Sequence, residues 1–120
     1  DQKGESDKAF EAYNKSLEID PTYFDAVFNL GVLFFNKGAD INNQANDIPP
    51  SKEKEYNEMR EKAFVEFIKS TEYFEKALQL NPKDVVSMKQ LKQIYFQLRT
   101  KEGYSDKLKK IDEMITNAGQ

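Results

Sequence analysis

The chain contains no cysteine, no histidine and no tryptophan. Without thiolate or imidazole there is no Ser-His-Asp or Cys-His nucleophile, no zinc site built on nitrogen or sulfur, and no disulfide framework. A thiol-free chain is tolerated in reducing and oxidising compartments alike, so the absence names no compartment. Long apolar runs are missing as well. The longest, Val32-Leu33-Phe34-Phe35, is far short of the roughly 18 residues of a membrane span. Nor is there an excess of positive charge. Lys+Arg 18 against Asp+Glu 21 leaves a formal charge of −3, a poor match for a phosphate backbone. What the chain does have is Phe 9 and Tyr 6 in a polar background of mean hydropathy −0.80. At 120 residues it fits one domain, able to bury roughly two thirds of its unfolded surface. Composition leans toward binding or scaffolding.

Glycine and proline are scarce enough to act as punctuation. Sharp breaks fall at Asp20-Pro21, Gly38, Pro49-Pro50 and Asn81-Pro82, with a softer one at Glu102-Gly103. No segment alternates as a half-buried strand would, and the intervals read as helices. Asp7 to Ile19 carries Phe10, Tyr13 and Leu17 on one face. Tyr23 to Lys37 carries Val27, Leu30, Gly31 and Phe34. Asp84 to Leu98 repeats that spacing with Met88, Leu91 and Tyr95, and Ser105 to Ile115 carries Leu108, Ile111 and Ile115. Ser51 to Leu80 has neither Gly nor Pro and predicts a rod of about 45 Å. Its stripe runs Tyr56, Met59, Ala63, Phe67, Phe74, Leu78, and Ser51 is its candidate N-cap. Ile41, Ala45 and Ile48 continue a helical stripe past Gly38, so the chain predicts a long antiparallel hairpin turning near Asp47 to Ser51. A kink is allowed at Gly38.

The chain also repeats itself. Leu17-Glu18-Ile19-Asp20-Pro21 returns as Leu78-Gln79-Leu80-Asn81-Pro82. Ala9 and Tyr13 correspond to Ser70 and Phe74, and Val27, Leu30, Gly31 and Phe34 to Met88, Leu91, Lys92 and Tyr95. Every match is offset by 61 positions, across a whole helix-turn-helix unit.

These residues resemble the tetratricopeptide repeat, whose W-x2-L-G-x2-Y, A-x3-F and closing proline recur about every 34 residues. Val27 and Met88 stand at the Trp position, Phe34 and Tyr95 at the Tyr, and Ser70 at the small Ala. Lys92 in place of Gly departs from the pattern and predicts looser packing in the last unit. The resemblance implies an all-α fold of about five helices: antiparallel hairpins stacked as a short right-handed α-solenoid, with one hairpin strongly elongated. Residues 1–23 are then a half repeat, 24–84 an enlarged repeat with an insertion of about 27 residues, and 85–120 a C-terminal repeat or cap. Enlargement of this kind resembles exported repeat proteins of Bacteroidetes-type bacteria, which implies a periplasmic or exported protein, with the cytoplasm as the alternative. The start at Asp1-Gln2-Lys3 reads as a fragment or processed product.

A non-catalytic protein–protein interaction module follows from the resemblance, binding a peptide or partner helix through the concave face or the projecting hairpin. The candidate surface is Phe28, Val32 and Phe35 with Gln93 and Phe96 from the next unit. The bland reading is that the three apolar residues of the first helix are simply core. The family's carboxylate clamp is not expected, because Asn29, Asn36, Lys89 and Gln93 offer one lysine among amides. Asp40, Asn42 and Gln44 have the spacing of a calcium loop, but Ala45 and Ser51 occupy its glycine and bidentate-acid positions. No Gly-rich phosphate loop is present and no carboxylate pair is set for acid–base work, so neither enzyme activity nor a cofactor is expected. The alternatives are a structural C-terminal cap of a longer array, or self-association through the N-terminal helix, whose Phe10, Tyr13 and Leu17 lack a preceding partner.

Overall fold

A computed structural model describes residues 2–119, which form five helices and no strand. They are α1 (Gln2–Ile19), α2 (Phe24–Asn46), α3 (Glu53–Leu80), α4 (Val85–Gln97) and α5 (Tyr104–Ala118). Each packs chiefly on its neighbours in sequence: α1 on α2, α2 on α3, α3 on α4 and α4 on α5. That order of contacts is what a stack of helix hairpins produces, and the all-α repeat expectation holds. The radius of gyration, 15.6 Å, exceeds the roughly 13.6 Å of a compact domain of this length, and the extents are 46 × 36 × 20 Å.

The breaks read from the sequence are made by turn chemistry that itself repeats. Asp20 accepts from the Thr22 hydroxyl at 2.7 Å and the Thr22 amide at 3.0 Å. Those two bonds, the hydroxyl first, hold the Asp20 carboxyl below its ordinary pKa. Sixty-one residues on, Asn81 accepts from the Lys83 amide at 3.3 Å. Both are Asx turns around proline, which supplies the fixed φ. The Asp84 carboxylate then caps α4, accepting from the Ser87 amide at 3.1 Å and the Ser87 hydroxyl at 2.5 Å. Gly103, at φ 88°, occupies the left-handed conformation before α5, where a side chain would be strained.

Several expected boundaries move. Helix α1 extends back to Gln2, through a polar stretch that carries no apolar stripe for periodicity to detect. Ser51 is not the cap of α3. Pro49 and Lys52 close a tight turn through a 2.9 Å amide bond, which puts Ser51 inside it and begins the helix at Glu53 without a side-chain cap. Helix α2 runs unbroken through Gly38. That glycine is needed for closeness: a Cβ there would stand 2.8 Å from the Phe67 ring of α3. Gly31 is in the same position under Phe74, again at 2.8 Å. Between these contacts the Ser70 hydroxyl donates to the Gly31 carbonyl at 2.6 Å. Ser70 is fully buried, so an unpaired hydroxyl would be costly there, and the bond fastens the two helices at their closest approach.

The core follows from this approach. Ala63, Phe64, Phe67 and Phe74 of α3 meet Met88, Leu91, Ile94 and Tyr95 of α4, with Leu98 and Ile111 completing the cluster. On the other side Phe34 stacks flat on Tyr73, 5.5 Å between centroids, and receives the edge of Phe10 from α1 at 5.8 Å. The edge of Phe10 on Phe34 ties α1 to α2.

Candidate binding surface

The five residues marked out by the sequence divide into two groups. Phe28 and Val32 are half-buried and pack against the core cluster. Phe28 sits edge-on to Phe74 with centroids 5.2 Å apart, and stacks on Phe24. Phe35 leans on Phe67 at 5.7 Å, yet its ring also reaches the surface. Gln93 is exposed, and Phe96 keeps 49% of its surface accessible. Phe35, Gln93 and Phe96 come together on one groove of about 630 Å³, whereas Phe28 and Val32 do not line it.

The remaining walls of the groove are Lys89, Lys92 and Gln97 of α4, and Leu108, Asp112 and Ile115 of α5. Its shape traces back to the Gly-to-Lys departure. In the first hairpin Gly31 lets the Phe74 ring lie directly on the α2 backbone. At the matching place on α4 stands Lys92, whose side chain crosses to Asp112 of α5, with Nζ to Oδ1 at 2.8 Å. A lysine stem and an ion pair therefore occupy the line along which the other hairpin closes. Helix α5 buries only Ile111 fully, while Leu108 and Ile115 are half-covered. The sequence placed the Leu108/Ile115 stripe on α5, and its one signal that this stripe would line a groove was the Lys92 departure.

Arg99 covers the outer side of Phe96. The Arg99 guanidinium lies 4.0 Å over its ring while Nη1 donates to the Phe96 carbonyl at 2.7 Å. Behind the groove, α3, α4 and α5 meet in one polar junction. The Tyr95 hydroxyl donates to Glu75 Oε2 at 2.5 Å, and Lys107 approaches the same oxygen at 3.0 Å. Burial, reinforced by that carboxylate, pushes the Tyr95 phenol well above its usual pKa of 10.0.

Among the described residues no cluster of His, Cys, Asp or Glu is arranged to hold a metal ion. Asp40, Asn42 and Gln44 lie inside α2, where Asn42 accepts a hydrogen bond from Arg60 of α3. No described helix is long and apolar enough to cross a membrane.

Fold and surface together define a helical-repeat protein with an open, mixed apolar and cationic groove. Comparison with known families agrees: residues 2–38 match a family model described as TPR repeat, which supports the tetratricopeptide assignment. No curated protein and no solved structure gives a significant match. Repeats of this family generally mediate protein–protein interaction and are generally non-catalytic.

Proposed function

We propose that the chain is an interaction module that holds a protein or peptide partner in the groove lined by Phe35, Gln93 and Phe96. The observation that carries this reading is Phe96: a half-exposed aromatic with the Arg99 guanidinium 4.0 Å over its ring, at the rim of a 630 Å³ groove with a cationic edge. Aromatic anchors at pockets are where binding energy concentrates. In this reading 24–84 is an enlarged repeat, 85–120 the unit whose loosened hairpin makes the groove, and 1–23 a half repeat. An enlarged repeat of this kind resembles those of exported bacterial repeat proteins, and a periplasmic or exported setting belongs to the same proposal. A photo-crosslinking residue at Gln93 tests it. A discrete adduct in the source organism, lost when Phe96→Ala is added, is expected. Adducts indifferent to Phe96 would sink the reading.

Self-association is the second reading, favoured by Ile19, exposed to 87%, and its neighbour Tyr23, exposed to 46%. Sedimentation over a hundredfold concentration range, with Ile19→Lys beside the parent chain, decides it. An unchanging monomer would remove this alternative.

A further inference from the structure

Behind the groove lies a cluster that the proposed binding role does not use. Three helices contribute one side chain each: Glu75 from α3, Tyr95 from α4 and Tyr104 from α5. The two tyrosine rings stand 6.0 Å apart between centroids and incline to each other at 51°. The Lys107 ammonium lies over both, 5.7 Å from the Tyr95 centroid and 5.3 Å from that of Tyr104. Glu75 Oε2 closes the third side, 3.0 Å from Lys107 Nζ, and the Tyr95 hydroxyl donates to the same oxygen, which fixes that ring. The other cations over aromatic faces each share one ring only. Arg60 and Lys101 lie over Phe64, Lys37 and Lys69 over Phe34, and Arg99 over Phe96. Among the described residues, Lys107 alone has two rings and a carboxylate around one positive charge.

We infer that this corner is a seat for an organic cation, that Lys107 is its built-in plug, and that the outside ligand is a small quaternary ammonium compound of the choline class. The seat is separate from the groove, and neither reading depends on the other. Two aromatic faces and a carboxylate oxygen around one positive centre are the parts that recognise such cations. The plug is exchangeable. The Lys107 side chain is 46% exposed and that of Glu75 34%, so water screens their pair and holds it weakly. The flexible four-carbon stem of Lys107 can turn into solvent while α5 stays in place. Tyr95 is only 5% exposed, so displacing the plug is what uncovers its ring. Hydration then decides between the two cations. A primary ammonium is compact and strongly hydrated, and in this seat one carboxylate oxygen meets only part of its three donors. A quaternary ammonium has no N–H to satisfy and lays its methyl groups on both rings.

The probes are choline, its neutral carbon isostere, and phosphatidylcholine vesicles, which carry the same headgroup on a lipid. Binding is read from the ring signals of Tyr95 and Tyr104 by nuclear magnetic resonance. Choline is expected to shift both rings, and the neutral isostere to leave them where they are. Lys107→Ala removes an internal competitor held at high effective concentration and should tighten choline binding by roughly tenfold. Tyr104→Leu keeps apolar bulk without a π face and should abolish binding, with circular dichroism confirming that the variant is folded. Glu75→Gln should weaken binding roughly two- to fivefold. An isostere that binds as tightly as choline would overturn the cation seat. Equal choline affinity in the parent chain and in Lys107→Ala would overturn the plug. If Lys107→Ala binds no choline at millimolar concentration, the corner is only a tie that fastens α5, and the inference fails. Shifts with vesicles but none with choline would overturn the free solute as ligand and give the seat to a lipid headgroup.

Discussion

Two glycines and one tyrosine show how single residues set the geometry. Gly31 lies under Phe74, and a methyl group there would meet the ring at 2.8–2.9 Å on three atoms. Alanine would gain about 1 kcal/mol of helix propensity. Overpacking a fully occupied core costs about 1–3 kcal/mol, so the clash outweighs the gain or at least cancels it. Gly31→Ala is therefore expected to lower the urea midpoint. Gly4→Ala is expected to raise it, because nothing lies within 4 Å of a Cβ at Gly4 in α1. If both substitutions stabilised equally, the close approach at Gly31 would be wrong. Tyr95 adds a pH dependence. Its phenol titrates higher in the folded chain than in the unfolded one, so its contribution is complete below pH 10.0. That contribution is lost as the pH rises above 10.0 and only the unfolded chain can ionise freely. Absorbance at 295 nm should show Tyr95, one of six tyrosines, ionising only together with unfolding. Tyr95→Phe should blunt this alkaline loss and cost about 1 kcal/mol at neutral pH, the worth of its bond to Glu75.

Among the elements, α5 is the one whose attachment can be dissected. Ile111 is its sole fully buried residue among those described, flanked by the half-covered Leu108 and Ile115. Two ion pairs assist, Lys92–Asp112 at 2.8 Å and Lys107–Glu75 at 3.0 Å. Both partners of the first pair are about half exposed, at 52% and 48%, so screening by water limits it to well under 1 kcal/mol. Ile111→Ala should cost about 2–4 kcal/mol and release α5 alone, whereas Lys92→Ala should be nearly neutral. Hydrogen exchange reads this directly, as faster exchange of α5 amides with α2 and α3 unchanged. Equal losses from the two substitutions would mean that charge, and not burial, holds the helix. The elements were the most legible part of the sequence. Prolines 21 and 82 with their Asx partners, and the stripes on α2 and α4, carry strong local signals that the structure reproduces. The start of α3 did not carry one, because Ser51 satisfies the composition of a cap while the Pro49–Lys52 turn uses that position otherwise. Of the site, Phe35, Gln93 and Phe96 were legible as one face. Phe28 and Val32 were not separable from them, since periodicity shows which residues share a face and not whether a neighbour covers it.

For the molecule as a whole, chain-ordered contacts have a thermodynamic consequence. Where each helix rests mainly on its neighbours, stability is a sum of local terms and interface terms, and the ends open before the middle. The middle is α2 with α3, the largest interface, pinned by Phe67 over Gly38, Phe74 over Gly31 and the Ser70 bond between them. Phe67 is 1% exposed and shares a cluster with α4 and with Ile111 of α5. Removing it takes support from both hairpins at once. Phe67→Ala should cost about 3–5 kcal/mol and collapse protection in α2, α3 and α4 together. In the parent chain, α1 amides should exchange faster than those of α2 and α3, because Phe10 on Phe34 is the main aromatic tie that α1 makes to the rest. Uniform protection from α1 to α5 would show an all-or-none domain and contradict the picture of stacked hairpins. Graded protection would place the groove on the part of the stack that yields first. A partner bound there would then slow exchange in α5 before it changed anything in α2 or α3, because α5 is the helix held by a single fully buried residue.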